Sequence, residues 1–256
     1  MHESLVVDRC VHRDLIEAIS SAIIIPPLEP SPSFAVGQSP LDHIGSLAFL
    51  NDIFAPHVFN RFFFFSCNDA TEHNLGNVAF LRTRIEFIES LFAENEISEI
   101  WITFADPQIG REKKRLTAPL FMNRYRNFLC KGGIIHLKTD SRYLHEYSLA
   151  MAQQNDLHIL AAATDIYGAD RERLYDSELS SICGRAAVDA LFEVQTFYES
   201  QYLAQGFPIT YLSFLADHEG DYLSPEWAED LWKDEGHHFV IPSGLAVASK
   251  FYPEGQ

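Results

Sequence analysis

From Asn77 onward the chain alternates between short apolar runs and segments of helical period. Asn77–Arg82 reads as a strand, Ile85–Phe92 as an amphipathic helix, Ser98–Phe104 as a buried strand and Pro119–Leu129 as a helix. Gly133–Thr139 is a third strand, Tyr143–Gln153 a helix and Leu157–Thr164 a fourth strand. After a loop, Leu191–Ala204 has helical spacing, and Ile209–Phe214 closes the series as a strand. Strands alternating with helices of this length predict a mostly parallel sheet covered on both faces, an α/β three-layer sandwich. Lys131-Gly132-Gly133 predicts a helix stop and a turn into the third strand.

Residues 1–69 do not join this rhythm. Ile23–Ser33 is broken by prolines, and Phe62–Cys67 is a short, unusually aromatic run. A nucleotide-binding α/β unit needs a strand followed by a glycine-rich turn into a helix, but Gly37, Gly45 and Gly76 each stand alone. The expected organisation is a divergent segment over 1–69, an α/β unit over 70–215 and an acidic tail over 216–256.

With 256 residues, 47% of them hydrophobic, the chain can bury a full single core. No apolar run is long enough to cross a membrane, and MHESLVVDRC at the start lacks the pattern of a secretory signal. Cys10, Cys67, Cys130 and Cys183 are scattered, which fits free thiols in a cytoplasmic protein. His237-His238 suggests a metal, yet adjacent side chains point apart and no third ligand stands near, so no metal site is expected.

Charge changes the picture more. A formal net charge of −17 argues against nucleic acid until its distribution is considered. Arg111, Lys113, Lys114, Arg115, Arg124, Arg126, Lys131, Lys138 and Arg142 place nearly half of the 19 basic residues in one short interval. The tail is the reverse, with Asp217, Glu219, Asp221, Glu226, Glu229 and Asp230. Asp106 and Asp140 each follow a predicted strand, where an open α/β sheet places its chemistry, and the cations between them suit a polyanion.

Several ordered motifs then coincide: NVAFLRTRIEFIE, Phe104-Ala105-Asp106-Pro107, the KRLT run from Lys114, GGIIHLKTD ending at Asp140, and Gln195–Glu199 before the last strand. Over about residues 70–215 the chain resembles the bacterial tRNA (guanine-N7) methyltransferases. The resemblance implies a Rossmann-like class I methyltransferase sheet with a terminal antiparallel strand. It also implies S-adenosylmethionine as cofactor and a guanine in the tRNA variable loop as substrate. It assigns Asp106 as the catalytic and cofactor-side aspartate, Asp140 as a tRNA contact, and Thr196 and Glu199 as the TxxE pair near the guanine. Thr83 and Arg84 fall where the family holds the adenine end of the cofactor. A base drawn out of a folded RNA also needs phosphate contacts, which Arg111, Lys113, Lys114 and Arg115 are expected to supply.

The chain departs from the family in Ala105 before the aspartate, in Gly110 where a basic residue is common, and in the unrecognisable glycine-rich loop. A frameshifted or rearranged start is one explanation of residues 1–69. The rival function is a catalytically impaired tRNA-binding remnant without a cofactor loop. A monomer and a homodimer are equally compatible with the sequence.

The residues also admit structural roles. Asp-Pro is a common turn, KKR runs are often solvated faces, and Asp140 could cap the helix beginning near Arg142. Thr196 and Glu199 have the spacing of a capping box. Guanine N7 already exposes a lone pair, so its methylation requires orientation and charge stabilisation rather than proton removal.

Overall fold

The computed structural model describes residues 4–5, 46–50, 78–82, 85–195 and 197–227. The sequence-derived assignments to Thr83, Arg84, Thr196, His237 and His238 lie outside the described residues, as does most of the 1–69 segment. The strands are β1 (Ser4–Leu5), β2 (Ser46–Leu50), β3 (Val78–Arg82), β4 (Ile97–Thr103), β5 (Leu129–Thr139), β6 (Ile159–Ala163) and β7 (Thr210–Leu215). They form one sheet in the order β3-β2-β1-β4-β5-β7-β6. β4 and β5 are parallel, whereas β7 runs antiparallel to both β5 and β6. The sheet is Rossmann-like with a last antiparallel strand, and the two-residue β1 is also antiparallel, to β2 and to β4.

Alternation along the strands builds two apolar layers. Ile100, Ile102, Ile135, Leu137, Leu212 and Phe214 face one core. That core is completed by Phe121, Met122 and Tyr125 of α1 (Pro119–Tyr125) and by Leu144, Tyr147 and Met151 of α2 (Arg142–Gln154). Ile134 and Tyr211 face the other core, with Leu174 of α3 (Arg171–Tyr175), Leu179 of α4 (Glu178–Cys183), and Val188 and Leu191 of α5 (Arg185–Glu193). β5 is buried on both faces from Gly133 to Thr139, and its apolar run is interrupted there by the buried His136 and Lys138.

Local signals explain most element ends. Pro119 starts α1, where its missing N–H costs nothing, and the Ser141 side chain accepts from Leu144 N–H to cap α2. The structure departs from the sequence pattern at several places. Ile85–Ser90 is a 3-10 helix, not an α-helix. α1 stops at Tyr125 because Phe128 turns inward against Tyr125 and Phe92, and Phe128 C=O accepts from Ile97 N–H. The expected helix over Leu191–Ala204 is two elements, α5 and α6 (Phe197–Ala204). The expected loop ahead of it holds α3, α4 and the start of α5.

The KGG segment lies inside β5. Gly132 has φ +77°, and a Cβ on Gly133 would sit 2.9 Å from the Cys130 carbonyl oxygen, so both positions require glycine. The irregularity lets Leu129 pair with Ile97 and Ile134 with Glu99. Among the described residues, no helix is long and apolar enough to cross a membrane.

Candidate functional site

Parallel pairing brings the two aspartates to one edge. Thr103 is opposite Lys138, and Phe104 N–H donates to the Lys138 carbonyl at 2.8 Å. Asp106 and Asp140 therefore leave the carboxyl ends of neighbouring strands. Thr210 at the start of β7 meets Thr139 at the same edge, with its hydroxyl on the Thr139 carbonyl at 2.8 Å.

The loop after β4 is tightly held. Phe104 and Gln108 have positive φ (51° and 50°), and Ala105 is buried between Phe104 and Asp106. The half-buried Asp106 accepts from Gln108 N–H through Oδ1 at 2.9 Å. Beneath the loop lies Arg115, fully buried. Its Nε donates to the Pro107 carbonyl at 2.9 Å, and its Nη2 donates to the Gln108 carbonyl at 3.2 Å and to the Tyr143 hydroxyl. The guanidinium stacks 3.9 Å from the Tyr147 ring centroid and 4.9 Å from that of Tyr143. Arg115 is therefore not on the surface with Lys113 and Lys114, as the run of charge implied. It is an internal strut from α2 to the Asp106 loop, because a planar fork can satisfy two diverging carbonyls where a lysine cannot.

Tyr147 extends this frame by donating to Glu112 Oε1 at 2.5 Å. Its phenol is held well above the ordinary tyrosine range, first by burial and then by the Glu112 charge. Glu112 opens the 3-10 helix Glu112–Lys114, so α2 also fixes the turn that carries Lys113 and Lys114. Arg111, Lys113 and Lys114 are exposed beside the Asp106 loop. The remaining cations of the run are dispersed. Arg124 pairs with Glu89 and donates to the Glu86 carbonyl, Arg126 donates to the Gly220 carbonyl, and Arg142 pairs with Glu146 at 2.5 Å. Lys131 lies near the amino end of β5, at the opposite edge of the sheet.

Asp140 is half-buried just past β5. The helix that follows is capped by Ser141, so the capping role open to Asp140 from sequence is filled by its neighbour. Two residues earlier, Lys138 is almost wholly buried and pairs with Glu199 of α6 at 2.6 Å. Lys138 Nζ also donates to the Leu191 and Val194 carbonyls at 2.7 and 3.1 Å, at the C-terminal end of α5, where a cation is favoured. Burial pulls its ammonium below the ordinary lysine range, and the Glu199 charge opposes that pull.

Tyr167 donates to Glu199 Oε1 at 2.7 Å. Glu199, expected from sequence as a substrate contact, is fully buried in this cluster, where it ties α6 to the end of β5. Lys138 and Tyr167 were not candidates from sequence; the available signal was a single lysine inside an otherwise buried strand. No sequence signal marked Tyr167, since α6 and the loop after β6 meet only in the fold. Among the described residues, no group of His, Cys, Asp and Glu is placed to hold a metal ion.

A family described as "Putative methyltransferase" matches residues 49–174, beginning upstream of Ala70. The tRNA (guanine-N(7)-)-methyltransferase of Bacteroides fragilis (strain YCH46) is 41% identical over 180 residues. That match covers 70% of this chain and 65% of that protein. Over that stretch the chain is similar to the tRNA (guanine-N(7)-)-methyltransferases. The enzyme of that name from Christiangramia forsetii is 48% identical over 147 residues, 57% of this chain and 59% of that protein. A Listeria welshimeri relative of the same name is 30% identical over 142 residues, 55% of this chain and 58% of its own length. The match therefore spans somewhat less than two thirds of these methyltransferases. The motifs that suggested the family, from NVAFLR to GGIIHLKTD, fall within the 49–174 match.

Proposed function

We propose that the chain transfers a methyl group from S-adenosylmethionine to guanine N7 in the variable loop of tRNA, with Asp106 at the reacting end of the site. The observation carrying this reading is that Asp106 and Asp140 share one carboxyl edge in a chain similar to proteins named for that reaction. The location also suits the cofactor. Strand order turns back between β2 and β4 across the two-residue β1, which runs antiparallel to both, and ligands of open α/β sheets lie beyond the carboxyl ends of the parallel strands at such a point. β4 flanks it and delivers the Asp106 loop. Asp106 would line the methyl end, and the family resemblance assigns Thr83 and Arg84, next in sequence after β3, to the adenine end. S-adenosylmethionine supplies an electrophilic sulfonium methyl.

The chain's own residues have the remaining tasks. N7 needs no general base, so the carboxylates act by position and charge. Asp106 accepts from the guanine N1–H and N2–H₂ edge and offsets the positive charge that grows on the purine. Asp140, one strand away, takes a second polar contact from the tRNA. Lys113, Lys114 and Arg111 meet phosphates, while Arg115 holds the Asp106 loop. The Lys138–Glu199 pair fixes α6 against the same edge.

The deciding experiment offers labelled S-adenosylmethionine and two tRNA transcripts, one with 7-deazaguanine in place of guanine. Label in the guanine transcript alone supports the proposal. Label in both places the methyl on another atom and rejects it. A folded protein that binds tRNA but transfers no methyl also rejects it, and favours the rival reading of a catalytically impaired tRNA-binding remnant.

A further inference from the structure

The segment after β7 is acidic, yet its described part is a strap packed on the domain. Ala216 N–H donates to the Gly133 carbonyl, and Gly132 N–H donates to Asp217 Oδ1, both at 2.9 Å. Tyr222 is buried, with its backbone N–H on Asn123 Oδ1 at 3.2 Å and its hydroxyl on the Ala216 carbonyl at 2.8 Å. Asn155, at the C-terminal cap of α2, makes two hydrogen bonds with the Leu223 backbone, of 2.7 and 2.9 Å. At the other end of α2, Trp227 packs edge-on against Tyr143 and Tyr147, each with ring centroids 5.7 Å apart. The strap thus climbs the length of α2, from the amino edge of the sheet to the carboxyl edge.

Its end meets the two tyrosines that frame Arg115. Tyr143 accepts from Arg115, whose other donors hold the Pro107 and Gln108 carbonyls. Tyr147 lies under the guanidinium and donates to Glu112 beside Lys113 and Lys114. We propose that Trp227 is a positioning residue. By bracing Tyr143 and Tyr147 from behind, it sets both the Asp106 loop and the turn carrying Lys113 and Lys114. The catalytic meaning of that loop rests on the methyltransferase reading above; the mechanical coupling does not.

The physical argument is one of rotamers. Two long aromatic side chains on one helix face have alternative χ1 states, and a third ring packed against both removes them. Without it, Tyr147 can swing, and Arg115 loses the surface on which its fork is aligned.

Hydrogen–deuterium exchange on the full chain tests the coupling without needing activity. In Trp227→Ala, the amides of Gln108, Arg111 and Arg115 should exchange about tenfold faster, the scale expected for losing paired ring contacts. The amides of β5 and β7 should be unchanged, and Trp227→Phe should restore the slow rates. On tRNA, Trp227→Ala should lower kcat about tenfold with little change in KM for S-adenosylmethionine. Unchanged exchange over 108–115 in the folded variant would overturn the inference. So would an equal rise across β5 and β7, because that is general destabilisation. If Trp227→Ala does not fold, Trp227→Leu keeps bulk without a ring edge and is read in the same way. A wild-type protein inactive on tRNA but showing the localised exchange effect would reject the methyltransferase reading and leave the coupling standing.

Discussion

Replacing Arg115 by lysine separates two accounts of the KKR run. If Arg115 contacts phosphate, lysine should serve nearly as well, and any loss should appear in the salt dependence of binding. If it is the buried strut, lysine keeps the charge over Tyr147 but cannot reach the Pro107 and Gln108 carbonyls and the Tyr143 hydroxyl together. Losing two of these three bonds, at about 1 to 1.5 kcal/mol each, costs about 2–3 kcal/mol of stability. For a domain of this size that is a fall in Tm of roughly 5–10 °C. The displaced Asp106 loop should slow methyl transfer about 100-fold, since small misplacements of a positioned group act on that scale.

The assay is a thermal melt, single-turnover methyl transfer, and tRNA affinity measured across a series of salt concentrations. Arg115→Lys should leave the slope of log affinity against log salt unaltered. Lys113→Gln with Lys114→Gln should reduce it by roughly two contacts' worth, with Tm nearly unchanged. A shallower salt slope with normal melting and normal transfer in Arg115→Lys would refute the strut.

Other outcomes follow from the same geometry. Asp106→Asn should abolish transfer while tRNA affinity stays within about twofold, because one uncharged substitution removes no phosphate contact; a large affinity loss would contradict its assigned role. Glu199→Gln should destabilise the protein by about 3–5 kcal/mol, the cost of leaving the buried Lys138 without its charge partner, and the Lys138→Met, Glu199→Leu pair should lose much less. Equal losses in the two unfolding titrations would show the pair is not coupled.

His136 is buried against Trp101, with parallel rings 4.0 Å apart, and burial lowers its pKa from 6.5 to about 3. The unfolded chain therefore binds a proton that the folded one rejects. Stability from this group is full above about pH 6.5 and falls as pH drops toward 3, by about 2 kcal/mol at pH 5. Denaturant unfolding at pH 7 and pH 5 should show that difference, and His136→Phe should shrink it; equal pH sensitivity in the variant would exclude His136 as the source.

Apolar periodicity was enough to place the strands from Val78 onward, because buried strands carry mostly apolar residues on both faces whatever their neighbours, but it missed α3, α4 and the break between α5 and α6. It also placed Asp106 and Asp140 at strand ends, and hence on one edge once the strands were parallel. Helix boundaries were less legible: Phe128 leaves α1 to fill a core position, and only three-dimensional packing makes that worthwhile. The fate of the charges was decided by the fold alone. Lys113, Lys114 and Arg115 are consecutive and chemically alike, yet the first two face water and the third is buried among carbonyls and tyrosines. Lys138 finds Glu199 sixty-one residues away, and Trp227 reaches Tyr143 across a still longer separation. Sequence spacing encodes which face of its own element a residue occupies. What that face meets depends on which elements the sheet and its layers bring together.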